Sequence, residues 1–540
     1  MLWKRCAAAL PATGTVLSIT FLMAGMSAAH ADELADLRAN QQLLQQRIDQ
    51  LAQAQAPAEA PVPKVPGGLY GGGPANPAAS APSLGGSFPR SFLIPGTDTS
   101  IRIGGQITEV IDYWLTGGNP NSSPQSTTVG DNGQALSSPL DLHGQFVPGT
   151  PPPGAAAFGA GGNGIALPPT GNPHSRGNGI FWTSPRESKI SFETRTPTPY
   201  GEARTFMEFD WAGSTQFAPG GNNPTSVSDN LHPRLRYAYG TLGGFLAGQA
   251  NSNFSDPDAN SETLDFGGNV GDPGVVRVPQ LRYTIPITWG WGGAFSVSAE
   301  TPETDIFTPV GQTASDAGAS FAAAGAGAPA GLVPNPAKTG APDLTFAYYV
   351  PQPWGHLDFS IVVRPDLEIQ DGHFISQTYQ GYGGHFGFDV KPAWFGWTKD
   401  TITFHFVAGD GIGRYLNCSC NSGLVTNFVT APTTVAAARS ILTHTITEFG
   451  GNMGYQHWWA PNLRSTISGG INHSDVNSTI LGPAQDAAVN KEIITAHANL
   501  IWSPVSFVDF GVEYMYGHRV TVANLKGDEN VLISKIAFRF

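Results

Sequence analysis

Charge is what this 540-residue chain has least of. Only 13% of its residues are Asp, Glu, Lys or Arg, about half the roughly 25% usual in soluble domains. Hydrophobic residues reach only 40%, so apolar bulk does not take the place of the missing charge. After the first thirty residues no stretch offers the ~18 consecutive apolar residues that a spanning helix needs. A helical membrane bundle is therefore excluded. No Lys/Arg-rich block occurs, which removes nucleic acid as a partner. G-x-S-x-G and H-E-x-x-H are both missing. His373, His385, His405, His444, His457, His473 and His497 stand singly. The sequence predicts no enzyme, no metal and no cofactor. Cysteine is scarce too, with three in all. Cys6 lies ahead of the apolar leader run, and Cys418 and Cys420 share the polar stretch "NCSCNS". Two thiols are too few for a four-ligand zinc site. They are read as a loop disulfide of an oxidising compartment.

What is abundant is glycine, 67 residues, and proline, 44. Such a composition suits a sheet with one apolar and one polar face, joined by long Gly/Pro-rich loops. Residues 1–31 read as an export signal: Lys4 and Arg5, the apolar run Val16 to Met26, then Ala29-His30-Ala31 before the cut. Losing Lys4 and Arg5 takes the formal charge from −13 to −15. Residues 32–55 predict a short periplasmic α-helical coiled coil. Leu34, Gln41 and Ile48 repeat at seven, as do Leu37, Leu44 and Leu51. Residues 56–86 are a Pro/Gly/Ala-rich linker without periodicity.

From Ser100 onward the period becomes two. Ile101, Ile103, Ile107, Ile111 and Tyr113 alternate with Arg102, Gln106, Thr108 and Asp112. Fifteen further segments behave alike up to Phe540, and short turns alternate with long loops between them. This pattern predicts an all-β fold, a 16-stranded antiparallel transmembrane β-barrel over residues 87–540. Eight of the twelve tryptophans lie at the short turns (289, 291, 354, 394, 397, 458, 459 and 502), where an aromatic girdle meets the membrane interface. In the last strand Phe540, Phe538 and Ile536 are expected to face lipid, with Arg539 and Lys535 in the lumen. The terminal Phe is similar to the signal read by barrel-assembly machinery.

Alternation also sorts the lumen. Arg102, Lys189, Arg195, Arg204, Arg234, Arg236, Arg277 and Arg282 are expected inside, with Leu235, Tyr237 and Tyr239 outside. These cations predict a basic wall, the kind of lining that selects solutes in channels.

Four stretches carry a family resemblance: "FLIPGTDTSIRIGGQI", "LRYAYGTLGGFLAGQANSNFSDPDANSETLDFGG", "RVPQLRYT" and "ANLIWSPVSFVDFGVEYMYG". The chain resembles the DcaP-like trimeric porins of Gram-negative outer membranes, most specifically from Leu235 through Tyr283. The resemblance implies a homotrimer in outer-membrane lipid and lipopolysaccharide, passing small anionic solutes such as dicarboxylates. It also implies that the third long loop folds into the barrel, bringing Asp256, Asp258, Glu262, Asp265 and Asp272 opposite the arginines. The insertions around 117–178 and 303–341 depart from the family pattern. Two other readings are a structural or adhesive barrel linking envelope layers and a porin for neutral solutes such as sugars.

Overall fold

The computed structural model describes residues 85–116, 179–213, 232–271, 273, 276–308, 311–313, 337–370, 374–416, 423–427, 434–481, 486, 489–524 and 526–540. The expected signal, coiled coil and most of the linker lie outside these residues, as do Asp272, Cys418 and Cys420. Among the described residues no helix is long and apolar enough to cross a membrane.

Sixteen antiparallel strands form one closed sheet. They are β1 (Ser100–Thr116), β2 (Ile180–Ser184 with Lys189–Thr198), β3 (Gly201–Gly213), β4 (His232–Leu242), β5 (Phe245–Asn251), β6 (Arg277–Ile287), β7 (Gly293–Glu300) and β8 (Asp343–Gln352). The second half comprises β9 (Gly355–Gln370), β10 (Ser376–Val390), β11 (Thr401–Asp410), β12 (Thr447–Ala460), β13 (Leu463–Asp475), β14 (Asn490–Val505), β15 (Val508–Thr521) and β16 (Lys526–Arg539). Each pairs with its neighbour in sequence, and β16 returns to β1, from Gln106 opposite Arg539 to Thr116 opposite Asn530. Phe540 and Gly105 exchange backbone bonds of 3.1 and 3.2 Å at the seam. Among the described residues each barrel strand is paired on both sides, which is what a strand structure in lipid requires.

The strands keep the alternation read from sequence. On β1, Ile103, Ile107 and Tyr113 are exposed while Thr108, Val110 and Asp112 are buried. On β16, Leu532 and Phe538 are exposed and Val531, Ile533 and Ala537 are buried. The short turns share one end, and Trp289, Trp291, Trp354, Trp394, Trp397, Trp459 and Trp502 are all exposed there.

Two details differ from the expected pattern. The second strand is not continuous but breaks at residues 185–188. Proline has no N–H for the ladder, and Pro185 opens this excursion; Ser188 fills the gap by accepting from Thr108 N at 3.0 Å. On β4, Phe209 lies opposite Leu235 but Glu208 lies opposite Tyr237, so Arg236 is an extra residue. A bulge of this kind reverses the phase of the strand beyond it. Leu235 therefore faces out as expected, while Tyr237 and Tyr239 turn inward, 6% and 5% exposed. There they pack with Phe206, Leu246 and Ala250.

At the end with the long loops, parts of the chain read only as loop have a fold of their own. Four short strands (Gly311–Thr313, Ile306–Thr308, Leu424–Thr426 and Thr443–Thr445) form a second sheet in that order. Helices Val435–Arg439 and Ser478–Leu481 accompany it. Two apolar clusters fasten this cap: Ile306, Leu424 and Ala438 onto Leu367, Ile369 and Ile375 of the β9–β10 end, and Phe307, Val425 and Ile446 onto Ile480, Leu481 and Val489.

Candidate solute pathway

Strands β1–β4 build one wall of the lumen, and its cations converge on carboxylates. Glu193, 1% exposed, accepts from Arg195 Nε at 2.9 Å, from Arg204 Nε at 2.8 Å and from Arg102. Asp210 takes Arg234 at 3.0 and 2.6 Å and Arg236 Nη1 at 2.9 Å. Glu208 accepts from Arg236 Nε at 2.8 Å, with Lys189 Nζ 3.9 Å away. Six cations thus share three buried carboxylates; Arg195 also reaches the exposed Glu202 at 3.4 Å. Such placement keeps each guanidinium paired and gives this cluster an excess of positive charge, which Glu202 and the buried Asp112 of the same strands reduce.

Aromatic rings interleave with these cations. Arg195 lies 4.4 Å from the centroid of Phe88, Arg204 5.8 Å from that of Tyr239, and Arg277 5.4 Å from that of Tyr237. The β4 bulge creates the last two contacts, because it turns the tyrosines inward. A guanidinium over a ring face is held electrostatically as well as by packing. Arg282, 4% exposed, donates to Gln280 Oε1 at 2.8 Å and to Asn251 O at 2.5 Å.

The loop between β5 and β6, described over residues 252–271, 273 and 276, enters the barrel. Phe254, Asp256, Ala259, Leu264, Asp265 and Val270 are all buried, and the loop's polar groups reach side chains of the far wall. Asp256 Oδ2 meets His356 Nε2 of β9 at 2.7 Å. Burial alone would raise the Asp256 pKa, but the hydrogen bond and charge of His356 hold it below the ordinary carboxylate value. Glu262 takes both Arg464 Nε and Nη2, at 2.7 and 2.6 Å, and Gln456 Nε2 at 2.7 Å. Glu513 accepts from Leu264 N at 2.7 Å and Asp265 N at 3.2 Å.

The return leg of the loop packs backbone against backbone on β12 and β13. A Cβ at Gly450 would come 2.7 Å from Gly271 Cα, and one at Gly470 would come 2.2 Å from Val270 O. Gly271 itself has φ +86°, a conformation that side chains disfavour.

The carboxylates expected on the loop are therefore dispersed. Asp256 and Glu262 are tied to the wall opposite the arginines, Asp265 is buried, and Asp258 is exposed. The loop residue that meets the basic wall is Phe266, 5.3 Å from Arg234 Cζ. His356, Arg464 and Glu513, which anchor the loop, were not singled out from sequence. Alternation places them inside, but nothing local pairs residues 100 to 249 positions apart. Of the terminal cations, Lys535 pairs with Glu187 and Arg539 with Asp509. Among the described residues no group of three or more His, Cys, Asp or Glu side chains is arranged to hold a metal.

Known proteins resemble this arrangement. The family described as DcaP outer membrane protein matches residues 442–538, bearing out the resemblance read from the sequence. The match covers the stretch Ala498–Gly517 quoted above and not the Leu235–Tyr283 run. The outer membrane channel DcaP of Acinetobacter baumannii is similar over 83% of this chain and 99% of that one, with 19% identity and a TM-score of 0.56. That likeness carries the barrel fold. OmpT of Vibrio cholerae, at 8% identity, covers 83% of this chain and 100% of its own, with a TM-score of 0.41. OmpF of Salmonella typhi, also at 8%, covers 83% and 99%, with a TM-score of 0.43. No curated protein matches the chain in sequence.

Proposed function

We propose that the chain is an outer-membrane porin, a non-enzymatic diffusion channel for small anionic organic solutes such as dicarboxylates, working as a homotrimer. The observation that carries this reading is the wall of six cations on three carboxylates inside a closed barrel. Formal net charge is −13, yet a solute inside the barrel senses mainly groups within a Debye length of about 8 Å. Two unit charges 4 Å apart interact by about 4 kcal/mol at an effective dielectric of 20, so the local excess decides which ions pass. Arginine's planar fork suits a carboxylate better than an ammonium does. Release demands weak binding, in the millimolar range.

A potassium chloride gradient across a planar bilayer tests the sign directly. Chloride is expected to permeate better than potassium. Arg236→Ala, which leaves Glu208 and Asp210 short of a partner, should reduce both chloride preference and succinate flux. Potassium preference, with succinate flux unchanged in Arg236→Ala, refutes the basic-wall reading. The cap over the long-loop end favours a second reading, a plugged structural or adhesive barrel. In that case the purified protein inserts but carries no current.

A further inference from the structure

The outward face of the barrel is not uniform. Through the middle of β6–β11 it carries apolar or aromatic side chains; Leu281, Ile285, Leu344, Phe359, Ile361 and Phe406 are all exposed. On β1 the exposed stripe runs through Ile103, Ile107, Tyr113 and Leu115. Glu109 stands at the midpoint of that stripe, outward between the buried Thr108 and Val110. A strand crosses the apolar band in about 9–11 residues, so this carboxylate lies far from both membrane interfaces. Among the described residues its hydrogen-bond partner is the Thr183 hydroxyl of β2, and no cation pairs with it. No other carboxylate or cation among them interrupts an outward stripe in this way. Further polar groups follow on the same side. Thr194 and Thr205 share a 2.6 Å bond across β2 and β3, and Gln249 of β5 donates to Leu235 O and Arg236 O at the β4 bulge. A charged side chain turned to lipid destabilises a barrel.

We propose that the β1–β3 face is where a second copy of this chain docks, an inference that rests on the homotrimer of the reading above. Acyl chains offer Glu109 no hydrogen bond, and an unmet polar group in hydrocarbon is costly. A protein surface brings donors, and the outward threonine hydroxyls of a neighbouring copy supply them. The occupant is a copy of this chain because of where the chain enters the barrel. The heptads read at 32–55 are joined through residues 56–99 to β1 and to no other strand. Heptads that gather copies raise the effective concentration of this face for its neighbour. In a ring of three the contact is heterologous. Glu109 then meets a different part of the next copy, which avoids like-charge repulsion between two equivalent carboxylates.

The test places the photo-crosslinker p-benzoylphenylalanine at Met207, exposed on β3, or at Ile361, exposed on β9. The full chain is illuminated folded in its membrane. Met207 is expected to give adducts of two and three chain masses, and Ile361 none. Adducts from Ile361 instead, adducts of any other mass, or none from Met207 overturn the docking face. Glu109→Leu reads the carboxylate itself. Facing lipid, a leucine would raise the temperature at which the assembly dissociates on a detergent gel. Packed against a copy, loss of the carboxylate should lower that temperature by about 5 °C or more. A rise or no change counts against the face, and should this variant fail to fold, the adducts decide alone. Native mass of the unmodified chain judges the trimer separately. Three copies per particle without a Met207 adduct keep the trimer and lose this face, whereas single copies lose both. Bilayer current on the same preparation judges the channel independently of either.

Discussion

Glu193 shows how a single residue shapes the basic wall. With 1% exposure it serves Arg102, Arg195 and Arg204 at once. Glu193→Gln keeps an acceptor but removes one negative charge from the lumen. A unit charge about 8 Å from the solute path in water contributes roughly 0.5 kcal/mol. Chloride-over-potassium permeability should therefore rise about twofold, read from reversal potentials; a fall would mean that the site does not face the path. Asp305 makes a different case, in the loop that leads into the cap. Partial burial first, and Glu303 second, push its carboxyl up to about 7, although Arg414 and Arg364 oppose the shift. A raised carboxyl means that the folded state binds the proton more tightly. The cap is then most stable below the ordinary carboxylate range, and it loses stability as pH rises toward 7. Hydrogen-exchange protection across residues 306–308, with the intrinsic base-catalysed rate divided out, should be lower at pH 8 than at pH 5, and Asp305→Asn should flatten that dependence.

At the scale of elements the inner loop is the part most open to test. Its anchors are ionic at Asp256 and Glu262 and steric at Gly271, Gly450 and Gly470. Gly470→Ala places a methyl where Val270 O now lies, so the loop must lift and the 3.2 Å bond from Val270 N to Thr495 Oγ1 is lost. The barrel should still fold, with higher and noisier single-channel current; an unchanged current trace would show that the loop does not set the bore. Arg464→Ala should act in the same direction by freeing Glu262. None of this was legible along the chain, whereas the strands themselves were. Period-two alternation is a local signal, and tryptophans marked its phase at five of the seven short turns, from Trp289 onward. The Arg236 bulge defeated it, because one inserted residue flips Tyr237 and Tyr239 without any change in composition. The cap was missed for a related reason, since three-residue strands are too short to show a period. The cations of the wall could be placed by alternation, but their sharing of Glu193, Glu208 and Asp210 depends on register between strands.

For the whole molecule the governing fact is closure. Every one of the sixteen strands has a hydrogen-bonded neighbour on both sides, and the β1–β16 seam completes the ring. The backbone polar groups of the barrel strands are then satisfied within the closed sheet, so the barrel is expected to hold without the heptads. The heptads at 32–55 belong to a separate account: three heptads are few for an independent coiled coil, and their expected role is to hold three barrels in register. Deleting residues 32–55 should accordingly separate the two properties. In mild detergent the intact chain is expected to weigh three copies per particle by native mass measurement, and the deletion should shift part of the population to single copies. Both forms should keep the compact gel mobility of a folded barrel until they are heated. Loss of that mobility on deletion would show that the barrel depends on the helix, and closure alone would no longer explain its stability. A clean monomer from the intact chain would leave the heptads without a trimer to hold, and the assembly proposed here would fail while the barrel stood.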